Sequence, residues 1–232
     1  MFRIMTWNTA LTEGSDPQGV IKYIKSFVDE NNTLAVLQQI PYKDAKNDFA
    51  LHPVYSNFME TFPDSEYKVF QNKTYNQGRI IMMTVIVTKM CNVSLMQSAH
   101  TTNREAAVTV NFDNNNCINV YGIHAKNGEA NRPYLKSLEN NVNADIIIGD
   151  FNAGDYDECQ NRSIFCSILK DYICICNMPT KEIRNKNRII IRKSCIDHIF
   201  VRRNIVTKCS NLIVNEDNRL SDHYPITVDI DI

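Results

Sequence analysis

The 232-residue chain lacks an excess of either charge: 25 lysines and arginines stand against 26 acids, for a formal charge of -1 and a pI of about 6.5. No global positive field pulls such a protein onto polyanions, so any nucleic-acid affinity has to come from a local basic rim or a bound cation. No run of about 18 apolar residues marks a membrane span. The start, Met1 to Ala10, is too short an apolar stretch for a signal peptide and gives way to polar residues. There is no Cys-x-x-Cys pair among the eight cysteines, and several sit in apolar runs such as Tyr172 to Cys176, where a thiol behaves as a small hydrophobe. Reduced thiols and a cytoplasmic setting are expected, in which the sequon at Asn72 carries no sugar. No internal repeat, low-complexity segment or linker-like stretch divides the chain.

Periodicity supplies the elements. Phe2 to Trp7 is β-rich and reads as a first strand. At Ser15-Asp16-Pro17 a capping side chain precedes a proline, the order that opens a helix. Val20, Ile21, Ile24, Phe27 and Val28 then recur at helical spacing. Leu34 to Ile40 is a short apolar run stopped by Pro41, hence a buried strand. Residues 42–66 show no legible pattern. Arg79 to Val87, Ala106 to Phe112 and Cys117 to Ile123 read as strands, the last two joined in a hairpin by Asp113-Asn-Asn-Asn116. Glu129 to Val142 reads as a helix with Pro133 in its first turn, Asp145 to Gly149 as a buried strand, and residues 158–171 as a helix. Tyr172 to Cys176, Arg188 to Arg192, Ile196 to Val201, Leu212 to Val214 and Ile226 to Ile232 complete the strands. Such a pattern predicts an α/β fold: two β-sheets packed together with helices outside, in one domain over residues 1–232.

Five segments end or border strands with polar residues: Thr6-Trp7-Asn8, Leu37-Gln38-Gln39, Gly122-Ile-His124, Gly149-Asp-Phe-Asn152 and Ser221-Asp-His-Tyr-Pro225. Active sites are commonly assembled from strand ends and the loops that leave them. Singly, each segment has a bland explanation: a turn at Asn8, a cap at Asp150 or Asn152, a satisfied histidine at His124, a turn at Ser221-Asp222. Their order and wording together carry more. A leading Trp-Asn, a central Leu-Gln followed by a ligand position, a Gly-Asp-Phe-Asn and a terminal Ser-Asp-His-x-Pro resemble the signature of the endonuclease/exonuclease/phosphatase superfamily. Within it, the chain looks closest to the deoxyribonuclease I branch and its toxin relative, the cytolethal distending toxin B subunit. Tyr121-Gly-Ile-His124-Ala, Asn103-Arg104-Glu-Ala-Ala-Val and Ser221-Asp-His-Tyr-Pro-Ile carry that likeness. Lys193-Ser-Cys-Ile-Asp197 lacks the tryptophan-containing motif of the inositol-phosphatase branch, and the only tryptophan is Trp7.

The resemblance implies a four-layer sandwich of two mainly antiparallel sheets flanked by helices, with the site at one end. It also implies a divalent-metal-dependent phosphodiesterase, foremost a DNA endonuclease. A hard cation with oxygen ligands offsets the charge with which a phosphodiester repels incoming water. By resemblance, Gln39 and Asp222 hold Mg2+ or Mn2+, with Asn8 nearby. Asp150 and Asn152 orient the water or the phosphate oxygens. His223 is the base, oriented by Asp197. His124 is a general acid or a phosphate hydrogen-bonding group, since an imidazole titrates close to working pH. Arg104 holds a phosphate oxygen, aided by Asn8 and Asn152.

Two departures matter. Gln39 stands where the family has glutamate; an amide oxygen coordinates but carries no charge, so weak metal occupancy and reduced turnover are expected. With the other matched residues intact, Gln39 reads as an inactivating substitution. The competing reading is a native pseudo-nuclease whose cleft only grips a polyanion. The acid that pairs with the family histidine at His124 is also missing from Asn76-Gln77-Gly78-Arg79.

Lys181 to Lys193 gathers Lys181, Arg184, Lys186, Arg188, Arg192 and Lys193 against one acid, Glu182. This stretch is expected at the site rim, following a nucleic-acid backbone, DNA before RNA, with Lys126 and Arg132 adding to it. A solvated basic loop is the plain alternative. A hydrolase of a phospholipid head group or a small phosphorylated metabolite is the remaining reading, against which the basic stretch and Arg104 lean.

Overall fold

Apolar residues at alternate positions send successive side chains to opposite sheet faces, and here both faces are covered. In β1 (Phe2–Asn8), Phe2 and Ile4 point into a core that Leu34 and Val36 of β2 (Thr33–Asp44) share, while Met5, Trp7, Ala35 and Leu37 point the other way. The same alternation runs through β6 (Glu105–Asn111), β7 (Cys117–His124) and β8 (Ile146–Asp150), whose Val108, Val120 and Ile148 complete the shared core. Each fully buried side chain of this kind contributes about 1.5–3 kcal/mol of transfer free energy. The computed structural model describes residues 1–11, 16–45, 50–77, 79–96, 103–112, 116–138, 143–154, 169–187 and 189–231.

The first sheet adds β3 (Lys68–Gln77), β4 (Ile80–Thr88), β13 (Cys209–Val214) and β14 (Ile226–Ile230), in the order β13-β14-β1-β2-β4-β3. The second adds β5 (Val93–Leu95), β9 (Tyr172–Cys174) and β12 (Asp197–Arg202), in the order β5-β6-β7-β8-β12-β9. Each sheet has one parallel pair, β1 with β2 and β7 with β8, and is otherwise antiparallel. β10 (Lys181–Arg184) and β11 (Ile190–Ser194) form a separate hairpin. Helices α1 (Pro17–Val28) and α2 (Pro53–Thr61) cover the outer face of the first sheet, and α3 (Asn131–Leu138) covers that of the second. The result is the expected four-layer α/β sandwich.

Local differences have local causes. Pro41 does not stop β2, which runs on to Asp44: the register with β4 slips between Leu37 and Ile40 and again between Pro41 and Lys43, and a bulge tolerates a residue with no N–H to give. Asp16 occupies the N-cap of α1 with Pro17 behind it, but its side chain makes no capping hydrogen bond. Pro133 falls in the first turn of α3, as expected. The β6–β7 hairpin forms, with Asn111 opposite Cys117. Its turn residues 113–115, the end of the expected helix at 139–142, and most of the helix expected over 158–171 lie outside the described residues.

Candidate active site

Strand ends bring the polar residues together. In the parallel β7–β8 pair His124 lies opposite Asp150, and in the antiparallel β8–β12 pair Asp150 lies opposite Asp197. Three consecutive strand ends therefore deliver an imidazole and two carboxylates side by side. Gly149 makes this possible: its φ is 143°, and a Cβ there would sit 2.0 Å from the Ile123 carbonyl oxygen. The first sheet brings Asn8, and the Ser221–Pro225 segment is sewn against it. Ser221 Oγ donates to the Asn8 carbonyl oxygen (2.9 Å) and accepts from the His223 N–H (3.1 Å), while Trp7 Nε1 donates to the His223 carbonyl oxygen (3.0 Å).

Asp150 is the hub. Its Oδ2 accepts from Asn8 Nδ2 at 2.8 Å and lies 3.6 Å from His124 Nε2 and 4.0 Å from His223 Nε2; its Oδ1 accepts from the Asn152 N–H at 2.8 Å. Asn152 takes the left-handed conformation that asparagine tolerates, φ 47°, and donates its amide to the Ala125 carbonyl (2.9 Å). His223 Nδ1 contacts both Asp197 oxygens, at 2.8 and 3.0 Å, so the ring is oriented through one nitrogen. Thr180 fixes that carboxylate in turn, with Oγ1 donating to Asp197 Oδ2 (2.7 Å) and accepting from the Asp197 N–H (3.0 Å). Arg104 reaches the same edge, its Nη1 3.4 Å from the His124 carbonyl oxygen.

Asn8, His124, Asp150, Asp197 and His223 are all buried, and the titration behaviour follows. Burial pushes the Asp150 carboxyl up to about 6, reinforced by the Asp197 charge and opposed by His223, the Asn8 hydrogen bond and Lys181. Burial pulls His223 down, but the charge and hydrogen bond of Asp197, with Asp150 behind them, outweigh it and leave the imidazole raised. His124 is held well below the usual histidine range by burial and by the positive charges of Arg104, His223 and Lys181. It is thus disfavoured as a cation and suited to hydrogen bonding as a neutral ring, whereas Asp150 and His223 are the groups whose protonated forms the site favours.

Gln39 lies in the β2 bulge at φ 60°, next to Gln38, which pairs with Asn8 across β1 and β2. Only 8% of Gln39 is exposed, and its buried Oε1 has no hydrogen-bond partner among the described residues. Asp222 keeps a half-open carboxylate 3.0 Å from Lys181 Nζ. The carboxamide oxygen of Asn8 already accepts the Ala10 N–H at 3.2 Å. Among the described residues, Asp150, Asp197 and His223 offer ligand atoms all within 4.8 Å of one another, a possible metal site made of residues read from sequence as catalytic.

Sequence reasoning missed Thr180, and it gave no positioning role to Trp7 and Ser221 of its motifs or to Lys181 of its basic stretch. A hydroxyl, an ammonium and an indole that only position neighbours carry no spacing signal of their own. It also missed Glu105, buried beside Arg104, where it accepts from Tyr134 Oη (2.8 Å).

The hairpin β10–β11 starts at this edge: the Glu182 N–H donates to the Asp222 carbonyl (2.8 Å) and Lys181 lies opposite His223. Lys186, Arg192 and Lys193 are exposed along it, as are Lys126 and Arg132 beyond His124. Arg184 is committed to the buried Glu182, at 2.7 Å from Nε and 2.5 Å from Nη2, and Lys193 pairs with Glu216. Arg188 lies outside the described residues.

No protein-family model and no curated protein matches the chain by sequence. Solved structures do match by shape. The endonuclease domain of TRAS1, a telomere-specific non-LTR retrotransposon, superposes with a TM-score of 0.68 at 15% identity, covering 100% of this chain and 99% of that one. The chain has the endonuclease/exonuclease/phosphatase fold. The 3'-5' exonuclease NExo from Neisseria meningitidis matches at TM-score 0.66 and 17% identity, and a mannosyl-6-phosphatase from Bacteroides thetaiotaomicron at 0.60 and 15%, each over 100% of both chains. Nucleases and a sugar phosphatase thus share this fold with it, without singling out the deoxyribonuclease I branch. No helix among the described residues is long and apolar enough to cross a membrane.

Proposed function

We propose that the protein is a divalent-metal-dependent phosphodiesterase acting on DNA, slowed by Gln39. The observation that carries this reading is the Asp150 hub, one buried carboxylate within 4.0 Å of Asn8, His124 and His223 side-chain nitrogens, with Asp197 opposite it in register. Hard oxygen donors suit Mg2+ or Mn2+, and the orphaned Gln39 Oε1 and the Asp222 carboxylate would hold the ion. Bound there, it supplies charge neutralisation to the phosphodiester.

The chain's own groups divide the rest. Asp150, with a proton affinity matched to neutral pH, takes the proton of the attacking water, which the Asn152 amide helps to hold. His223, kept cationic by Asp197, donates from Nε2 to the phosphate oxygen on which charge builds. This exchanges the base assigned to His223 from sequence for Asp150, because near neutral pH a raised imidazole holds a proton to give while a carboxyl at about 6 is mostly ionised and free to accept one. His124, neutral, donates a hydrogen bond to a second phosphate oxygen, and Arg104 adds a charge-assisted one. The likeness to the TRAS1 endonuclease domain and the exposed basic hairpin favour nucleic acid over lipid.

The test is plasmid nicking and oligonucleotide cleavage by the native chain and by Gln39→Glu, with Mg2+, Mn2+ or EDTA. Metal-dependent nicking that is strong in Gln39→Glu and weak in the native chain is expected. Inactivity of both on DNA and RNA, alongside phosphate release from a lipid head group or sugar phosphate, would replace this reading.

A further inference from the structure

Residues 197 and 198 of β12 turn to opposite sides. Asp197 meets His223, whereas His198 packs between Phe151 and Phe200 on the outer side of the sheet, with ring centroids 5.5 and 6.0 Å away. His198 Nε2 lies 3.0 Å from the Ala153 carbonyl oxygen. A carbonyl only accepts, so the proton is assigned to this nitrogen, whose carbonyl contact is shorter than the 3.4 Å one at Nδ1, and in the neutral ring Nδ1 keeps its lone pair. That lone pair faces sulfur: Cys174 Sγ at 3.6 Å and Cys195 Sγ at 3.9 Å, with the Cys176 carbonyl oxygen at 3.4 Å. The same carbonyl lies 3.2 Å from Cys174 Sγ and 3.9 Å from Cys195 Sγ.

The geometry points to a binding site for one thiophilic cation of the zinc class, held by Cys174, Cys195 and His198 with the Cys176 carbonyl as fourth donor. Zinc bonds of about 2.3 Å to sulfur and about 2.0 Å to nitrogen, at tetrahedral angles, separate neighbouring ligands by roughly 3.5–3.8 Å; five of the six separations here run from 3.2 to 3.9 Å, and the sixth, between the two sulfurs, exceeds 4.8 Å. Metal-binding imidazoles characteristically give their other N–H to a carbonyl or carboxylate, as His198 does to Ala153. Gly154 keeps that loop close, since a Cβ there would meet the Cys195 carbonyl oxygen at 2.2 Å and His198 Nε2 at 3.2 Å. Two thiolates and one imidazole select a soft or borderline ion and leave hard Mg2+ to the oxygen site.

The two sulfurs are not yet together. Only Asp150, Asp197 and His223 have all their ligand atoms within 4.8 Å among the described residues, so loading swings one cysteine about χ1 and releases both thiol protons. Neither cysteine is disulfide-bonded. The ion would brace β9, β12 and the loop after Asp150 against each other, directly behind Asp197.

The experiment uses the intact chain, reduced, stripped by chelator and held in excess Mg2+, titrated with Cd2+ and then Zn2+. One equivalent of Cd2+ with thiolate charge-transfer absorption in the near ultraviolet is expected, and Zn2+ should displace it. Cys174 and Cys195 should become protected from iodoacetamide, read by mass spectrometry, while the exposed Cys91 and Cys117 stay reactive. The double substitution Cys174→Ser, Cys195→Ser should abolish the absorption, and Asp150→Asn should keep it. Unprotected Cys174 and Cys195 in the native chain, a result needing no variant, overturns the proposal. So does absorption that persists without both thiols.

Discussion

Gln39 is held where a glutamine gives up free energy on two counts. A left-handed backbone costs about 1–2 kcal/mol outside glycine, and a buried, unpaired polar atom about 1–3 kcal/mol; Gln39 has φ 60° and an orphaned Oε1. A carboxylate of nearly the same shape would be worse without a cation and better with one. Gln39→Glu is therefore expected to bind Mg2+ at least about tenfold more tightly, about 1.4 kcal/mol, by calorimetric titration, and to gain thermal stability in Mg2+ where the native chain gains little. Asp197→Asn carries a pH prediction. Asp197 raises His223 against the pull of burial, so its removal lets burial prevail and His223 loses its proton at lower pH. Turnover should fall by about 10²–10⁴, with both limbs of the pH–rate profile moved to lower pH, the acid limb because the Asp197 charge no longer helps burial hold the Asp150 carboxyl up. An NMR titration of His223 checks the cause directly. The residues of this cluster were legible in the sequence through motifs that end strands in polar side chains. Thr180 and Lys181 were not, because any donor at that strand edge could hold Asp197 or Asp222.

At the level of elements, the strands that sequence reading missed, β3, β5 and β10, each pair with a strand on one side only. β3 reads Lys-Val-Phe-Gln-Asn-Lys-Thr-Tyr-Asn-Gln, and β5 has three residues. A strand paired on one side needs no strict apolar alternation, so none of the three announces itself. Helix α2 hid for another reason: its cap is His52, whose side chain accepts from the Val54 N–H at 3.3 Å, a residue type outside the usual capping set. The first sheet is fastened by a pair that its register sets up: Arg3 of β1 lies opposite Asp229 of β14, with Nε–Oδ1 2.6 Å, and Asn211 of β13 adds a 2.8 Å bond. The Arg3 hydrogen bond, with Asn211 and the Arg3 charge, outweighs burial and lowers the Asp229 pKa. A lowered carboxylate stabilises the fold above its unfolded pKa, about 3.9, and loses that contribution as pH falls through the folded value. Asp229→Asn should cost about 1–2 kcal/mol at pH 7, because Arg3 is partly solvated. The variant should also lose less stability than the native chain in urea melts carried below pH 4.

For the whole molecule, the two-sheet architecture was readable because core-facing and helix-facing residues alternate in β1, β2, β7 and β8; the basic rim was readable only as charge. Its geometry redistributes that charge, since Arg184 answers Glu182 while Lys186 and Lys126 are exposed. Reversing both, Lys126→Glu with Lys186→Glu, should weaken DNA binding and flatten the salt dependence of the logarithm of affinity by roughly 0.9 per lost phosphate contact, measured by fluorescence titration. An unchanged slope would take the hairpin out of the interface.

The bonds from Trp7 and Ser221 join residues more than 200 positions apart, 216 and 213. A chain leaving the ribosome with every strand but the last complete still has no His223 beside Asp197 and no Ser221 clasping Asn8. Newly made protein should accordingly stay inert until its closing segment has emerged. A stalled nascent chain ending near residue 215 should leave added substrate untouched.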